Sequence, residues 1–309
     1  MFTRPPDLPD EVIERCLRDG WGVAVDRVEY LAAGFGSHHW VSTDWFVTVD
    51  LDTPRRSTDE LLAALRTARV LSDTGMTGLV APMPGLHGDV VWRGGPFSVS
   101  LFPRLGASAL EASRHPDHTA VLALLGDLHS RTESVRGIAR PDSLEIVGRA
   151  ELLATLGALS TPWSSGPFGE PVRELLSPRV CAIDSGLREV DGIVAGLDRS
   201  QWVITHGEPH DRNILETPDG PVLIDWDTAR IGPAARDVWH VGDGTRADEY
   251  TELTGHVIPN EEIALYRLLW DLGEIAEYAV QFAGPHGDDE DAAIAFEGLT
   301  ESIESLLAR

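Results

Sequence analysis

Residues Val203 to Asp227 constrain this chain more than any other stretch. Two short apolar runs flank a polar loop, His206 to Asn213, that carries Glu208, His206, His210 and Asn213, and the second run ends in Asp225 and Asp227. Such a concentration of ionisable and amide groups is not core filler. Thr217-Pro218-Asp219-Gly220-Pro221 is strong turn chemistry, so Asn213–Leu215 and Val222–Ile224 are expected to pair as a hairpin. That hairpin would return Asp225 towards Asn213.

Phosphoryl transfer needs hard oxygen ligands for Mg²⁺ and a carboxylate near the acceptor hydroxyl, all on rigid backbone. Asn213 and Asp225 can supply the ligands and Glu208 the base. The run His-Gly-Glu-x-His-x-x-Asn followed by Ile-Asp-Trp-Asp resembles the catalytic and metal-binding loops of the aminoglycoside phosphotransferase and choline kinase-like family. Asp-Trp-Asp with Gly-Pro-x-x-Arg-Asp-Val-Trp after it is most similar to the spectinomycin phosphotransferase-like members. Leu124-Leu-Gly-Asp-Leu-His-Ser also looks like that family's helix ending in Leu-His, where His129 is read as packed structure rather than catalyst.

The resemblance implies roles. Glu208 would position the acceptor hydroxyl and take its proton, in a place where the family more usually has aspartate. Pro209 narrows the directions the longer side chain can take. Asn213 and Asp225 would hold Mg²⁺, His206 and His210 would fix the loop by hydrogen bonds, and Asp227 could support or ligate. Asp237 resembles the aspartate that anchors the catalytic-loop backbone in kinase-like folds. The cofactor would be ATP, with GTP open. Its expected site comprises Gly34, Gly36 and Ser37 of a glycine turn, then His38, Thr48 and Phe102. Thr48 stands where the family carries a lysine on its third strand, and all 25 basic residues of this chain are arginine. Arg55, Arg66, Arg69 or a histidine of the turn could supply the missing charge.

Periodicity fills in the rest. A helix is expected from Asp10, its N-cap, to near Gly20, followed by strands at Val23–Leu31, His38–Thr43 and Trp45–Asp50 and a helix at Ser57–Ser72. Val90–Trp92 and Phe97–Phe102 read as a hairpin. Beyond Pro103 the pattern is mainly helical: Asp117–Ser130, Ser143–Leu159, Pro171–Leu176, Pro178–Leu197, a helix capped by Asn260, and Asp291–Arg309. The expected fold class is therefore α+β, a protein-kinase-like two-lobed fold with a small antiparallel-sheet N-lobe and a larger, mainly helical C-lobe. The expected boundaries are a nucleotide-binding lobe at 1–102, a hinge at 103–106, and a catalytic and acceptor-binding lobe at 107–309. The acceptor pocket is expected from Ser143–Leu197 and Asn260–Phe282, with Asp271, Glu274 and Glu277 available to meet ammonium groups.

Composition narrows the partners. A formal charge of -25 argues against nucleic acid and anionic membranes, which need a basic footprint, and is compatible with a cationic small-molecule hydroxyl acceptor. No unbroken apolar run is long enough to span a bilayer, and the first residues lack a signal-peptide core, so a cytoplasmic protein is expected. Cys16 and Cys181 are expected as buried free thiols. Two other readings remain: a pseudokinase-like binding protein that lost catalysis with the lysine, and a metal-dependent hydrolase built on His206 and His210. The second lacks the His-Glu-x-x-His spacing.

Overall fold

The computed structural model describes residues 3–5, 7–34, 36–52, 57–106 and 116–309. Phe35 of the glycine turn and Arg55 lie outside the described residues. The strands are β1 (Glu29–Leu31), β2 (His38–Val41), β3 (Trp45–Leu51), β4 (Trp92–Arg93), β5 (Phe97–Pro103), β6 (Val203–Thr205), β7 (Ile214–Thr217), β8 (Gly220–Leu223) and β9 (Arg230–Gly232). The described helices are α1 (Asp10–Trp21), α2 (Thr58–Asp73), α3 (His118–Ser130), α4 (Thr132–Val135), α5 (Arg149–Gly157), α6 (Gly169–Leu176), α7 (Val180–Gly196), α8 (Ala235–Val238), α9 (Ala247–Thr254), α10 (Asn260–Ala283) and α11 (Glu290–Leu307). They fall into two compact units, Met1–Asp142 with Arg199–Pro259, and Ser143–Asp198 with Asn260–Arg309.

In the first unit an antiparallel sheet runs in the order β1-β2-β3-β5-β4. Strand alternation gives it two chemically different faces. Trp40, Val47, Val49, Val99 and Leu101 point to one side and join Ile13, Leu17 and Val28 in a closed apolar cluster. The other side carries Thr48, which pairs with His39 on β2 and Ser100 on β5, and Phe46, which pairs with Phe102. The cap of α1 lies one residue earlier than expected: Pro9 holds that position, Asp10 is the first helical residue, and its side chain accepts a hydrogen bond from Trp40 Nε1 at 2.9 Å. The strand expected over Val23–Leu31 shrinks to Glu29–Leu31 because Val23 and Val25 pack against the apolar cluster and Val23 N–H is spent on Leu17 O. The helix expected over Ser57–Ser72 begins at Thr58 with Ser57 as its cap, Ser57 Oγ accepting from Glu60 N–H.

The second unit is helical. α10 runs through it with Leu268, Leu272, Ile275, Ala279 and Phe282 buried, against α5, α6, α7 and α11. The helix expected from Ser143 begins only at Arg149, because Leu144 and Gly148 both adopt left-handed backbone, at φ 57° and 80°. Ser177-Pro178 forms a 3-10 turn, after which α7 begins at Val180. Cys16 is buried as expected, whereas Cys181, on the outer side of α7, is exposed. Among the described residues no helix is long and apolar enough to cross a membrane.

Candidate active site

β7 and β8 pair from Ile214↔Leu223 to Thr217↔Gly220, and the turn residues between them do what their chemistry dictates. The ladder closes with Ile224 N–H on Asn213 O at 3.0 Å, which brings the two ends of the hairpin together. Trp226 is fully buried, donates from Nε1 to Leu223 O at 3.2 Å, and so pins the chain just beyond the strand. Asp225, between Ile224 and this anchor, is exposed and left-handed at φ 64°. Only Leu144 shares that feature among the described non-glycine residues. Non-glycine residues in this region are costly and persist where the surroundings impose them, and functional sites are enriched in them.

His206 ties this hairpin to the loop before it. Its Nε2 bonds Ile224 O at 2.8 Å, and its Nδ1 accepts from the Glu208 amide at 3.3 Å. A carbonyl can only accept and an N–H only donate, so the imidazole is neutral with its proton on Nε2. Burial pushes its pKa down to about 4, against the opposing pull of Asp237, the Ile224 carbonyl and Asp227. His206 thus stays neutral across the physiological range and acts as a rigid bridge. With both ring nitrogens engaged and none of its surface exposed, it is closed to metal, and no cluster of three or more His, Cys, Asp or Glu groups suited to a metal ion occurs among the described residues. Those contacts oppose the hydrolase reading.

The loop backbone hangs on Asp237. Its Oδ2 accepts from His206 N–H at 2.9 Å and its Oδ1 from Gly207 N–H at 2.6 Å, while His129 Nε2 bonds Oδ2 at 2.9 Å. His129 Nδ1 in turn meets the Tyr250 phenol oxygen, Oη, at 2.6 Å. Burial alone would raise the Asp237 carboxyl; the hydrogen bond from His129, with the positive field of neighbours that include Arg236, outweighs it and holds the carboxyl below its usual range. Thr132 of α4 adds a further tie, accepting from Ile204 N–H at 2.9 Å. Arg236 bonds Thr205 Oγ1 and Thr228 O, both at 2.9 Å, and lies against Gly207 so closely that a Cβ there would stand 2.3 Å from its Nη1. Gly207 also has φ 107°, so both space and backbone require glycine. His240 bonds Gly207 O at 3.1 Å, and burial pushes its pKa to about 3.

Within this frame Glu208 is half-buried, and Asn213 donates from Nδ2 to Glu208 O at 3.0 Å. That bond fixes the amide's orientation and leaves Asn213 Oδ1 as an oxygen acceptor. Asn213 Oδ1 and the exposed Asp225 carboxylate are hard oxygen donors of the kind Mg²⁺ prefers, and they fit such an ion. His210 lies 3.5 Å from the Asn213 amide and stacks edge-on to His240; burial lowers its pKa. Of the supporting residues, Tyr250, Thr132 and His240 carried no sequence signal of their own; Arg236 had one only as part of the Arg-Asp-Val-Trp run.

The expected nucleotide residues separate by face. Ser37, Thr48 and Phe102 share the sheet face away from the apolar cluster, and Ser37 Oγ donates to the buried Asp50 at 2.6 Å. Gly34 and Gly36 have φ 71° and 87° in the turn between β1 and β2. His38 is a correction: alternation puts it beside Val49 on the opposite face, buried, with Nδ1 3.2 Å from Tyr30 hydroxyl. His39 is the turn histidine on the Thr48 face, its Nδ1 3.4 Å from Thr48 Oγ1. Arg66 and Arg69 of α2 pair with Asp89 and Asp73. In the second unit Asp271 is buried and accepts from Ser305 Oγ at 2.8 Å, so this carboxyl serves the α10–α11 seam.

A profile described as the phosphotransferase enzyme family, APH, matches residues 28–278. Protein StrN of Streptomyces griseus is 32% identical over 254 residues, 78% of this chain and 76% of StrN. Stress response kinase A of Escherichia coli K12 is 28% identical over 187 residues, 60% of this chain and 53% of the kinase. Spectinomycin phosphotransferase APH(9)-Ia, solved with ADP and spectinomycin, superposes with a TM-score of 0.77 at 15% identity over 98% of both chains. Choline kinase LicA from Streptococcus pneumoniae gives 0.54 at 14% identity over 97% of this chain and 99% of LicA. The fold is protein-kinase-like, with the antiparallel sheet and helical remainder expected of it.

Proposed function

Because the chain belongs to the aminoglycoside phosphotransferase (APH) family of phosphotransferase enzymes, we propose that it transfers the γ-phosphoryl group of ATP, with Mg²⁺, to a hydroxyl of an aminoglycoside or aminocyclitol. The observation that carries this reading is the His206 bridge, which holds the Glu208 amide and the carbonyl before Asp225 on one imidazole. A bridge of that kind gives base and metal loop a fixed relation, the positioning on which phosphoryl transfer depends.

Glu208 accepts the proton of the acceptor hydroxyl as its oxygen bonds to Pγ and ADP departs. Asn213 Oδ1 and Asp225 would hold Mg²⁺, which supplies charge neutralisation at the phosphates. His206, His210, Asp227 and Asp237 support the loops. Gly34, Gly36, Ser37, Thr48 and Phe102 form the nucleotide side, within a lobe at 1–102 joined through 103–106 to the lobe at 107–309. Acceptor recognition is assigned to segments 143–197 and 260–282, where Glu274 and Glu277 offer carboxylates to a cationic ligand. The charge of -25 and the spectinomycin bound by APH(9)-Ia favour such an acceptor.

Calorimetric titration with ATP and GTP, with and without Mg²⁺, tests the reading, followed by a panel of aminocyclitols and aminoglycosides. Expected are Mg²⁺-dependent ATP binding that Asp225→Asn removes, and turnover that Glu208→Gln lowers at least about a hundredfold while ATP binding persists. Absence of binding to the folded wild type, with and without acceptor, would favour the pseudokinase-like reading.

A further inference from the structure

Kinase-like sites pair a third-strand lysine with a glutamate from the following helix, and both must be in place. This chain has no lysine, and the resemblance to the family puts Thr48 at that place on β3. A glutamate on the helix that follows β3 is nevertheless present. Glu60 lies in the first turn of α2, and its Oε1 receives Arg230 Nη2 at 3.0 Å across 170 positions of sequence. Ser57 Oγ reaches its Oε2 at 3.2 Å, so both carboxylate oxygens are occupied. Burial pushes the carboxyl up, but Arg230, Ser57 and the more distant Arg140 together outweigh it and hold it below the usual glutamate range.

The pair joins two parts of the proposed site. On one side the first turn of α2 is tied to the sheet, Thr58 hydroxyl to Ser98 hydroxyl at 3.0 Å and Thr58 N–H to Asp52 at 3.2 Å. Ser98 lies on β5 opposite Asp50, on the face that carries Thr48. On the other side Arg230 begins β9, three residues after Asp227, and pairs with Thr205, the residue before His206. Its carbonyl accepts from Thr205 Oγ1 at 2.8 Å. The other arginine close to Glu60, Arg140, has its backbone carbonyl on Ile231 N–H at 2.8 Å and acts on Glu60 only through its charge.

Resting on the phosphotransferase reading, we propose that Arg230 is a positioning residue that takes over the lysine's hold on the helix glutamate, locking α2 and its sheet to the strand that follows the metal loop and pairs with β6, which leads into the catalytic loop. The chain thus keeps the ion pair but draws its cation from β9 instead of β3. The acidic partner stays where the fold needs it, and the basic partner changes strand.

The test is a double-mutant cycle on the full chain, using ATP with Mg²⁺ as the probe. Wild type, Arg230→Gln, Glu60→Gln, the double variant, Arg230→Lys and Arg140→Gln are compared by calorimetric Kd, acceptor-free ATP hydrolysis at saturating ATP, and thermal unfolding. Expected is a Kd about tenfold weaker in each single variant, the scale of one partly buried ion pair, with no further loss in the double. Arg230→Lys should recover most of the affinity, and Arg140→Gln should bind as wild type. Wild-type affinity in Arg230→Gln, or losses that multiply in the double, overturns the proposal, as does an effect wholly explained by unfolding. Failure of the wild type to bind ATP, with or without an acceptor, removes the phosphotransferase reading and this inference with it, and is a distinct result.

Discussion

The Nε2 of His206 lies 2.8 Å from the carbonyl oxygen of Ile224, and the next residue, Asp225, turns left-handed into the exposed site. Through this one bond a catalytic-loop side chain sets the backbone from which the proposed metal carboxylate projects. His206→Gln can keep an amide donor but cannot also accept rigidly from the Glu208 N–H. We expect a folded protein whose turnover falls about a hundredfold, since small displacements are costly where geometry sets the rate. Steady-state kinetics beside near-ultraviolet circular dichroism checks it; unchanged kcat in a folded variant would refute the bridge.

Gly207→Ala should be more damaging than its single methyl suggests. The new Cβ would sit 2.3 Å from Arg236 Nη1 on backbone at φ 107°, so either the arginine leaves Thr205 and Thr228 or the loop rotates away from Asp237. The expected cost is about 2–4 kcal/mol of stability, read from urea unfolding midpoints. An exposed glycine where an added Cβ would meet nothing within 4 Å, such as Gly88, is the control for packing; its φ of 85° is also positive, so it reports backbone strain alone.

Asp237→Asn removes a charge that receives two backbone N–H groups and His129 in full burial. Loss of one partner from such a buried network typically costs about 3–5 kcal/mol. Accordingly the variant should unfold at clearly lower denaturant, and amide exchange at His206 and Gly207 should accelerate. Protection equal to wild type at those two amides would contradict the anchoring role.

Acid should weaken the fold through His206 and His240, whose pKa values burial depresses to about 4 and about 3. Each is neutral when folded, whereas the unfolded imidazole titrates near 6.5. As the pH falls below about 6.5 the unfolded chain takes up protons first, so these contributions are complete above that value and are lost as the pH drops through the folded values. The full loss, reached only below the folded values, is on the order of 3 kcal/mol for His206 and 5 kcal/mol for His240. Urea midpoints between pH 7.5 and 4.5 should therefore decline, and less steeply in His240→Gln than in wild type. Equal slopes would remove His240 from the account.

Much of this was legible from local pattern. The turn between Thr217 and Pro221 dictates the hairpin because proline and glycine there satisfy a tight turn whatever surrounds them. Ser57 caps α2 for an equally local reason. Local pattern misjudged positions where a distant partner intervened. Val23 and Val25 have strand-forming side chains but are taken by the apolar cluster, and Leu144 adopts a backbone that cuts short the helix expected from Ser143. His38 and His39 are adjacent and chemically identical, so only the strand's register could send one into the Tyr30 side and the other towards Thr48.

The sequence by itself determined the inventory of the proposed reaction centre: Glu208, Asn213 and Asp225 at fixed spacing, with His206 and Asp237 around them, because the loops that hold them are short and their turns are locally encoded. Tertiary structure decided what fixes that inventory in place. His129 and Tyr250 reach Asp237 from helices far away in sequence, and Glu60 finds its cation 170 residues away at Arg230. Such pairings depend on burial and register, which no stretch of sequence contains until the elements carrying it have packed.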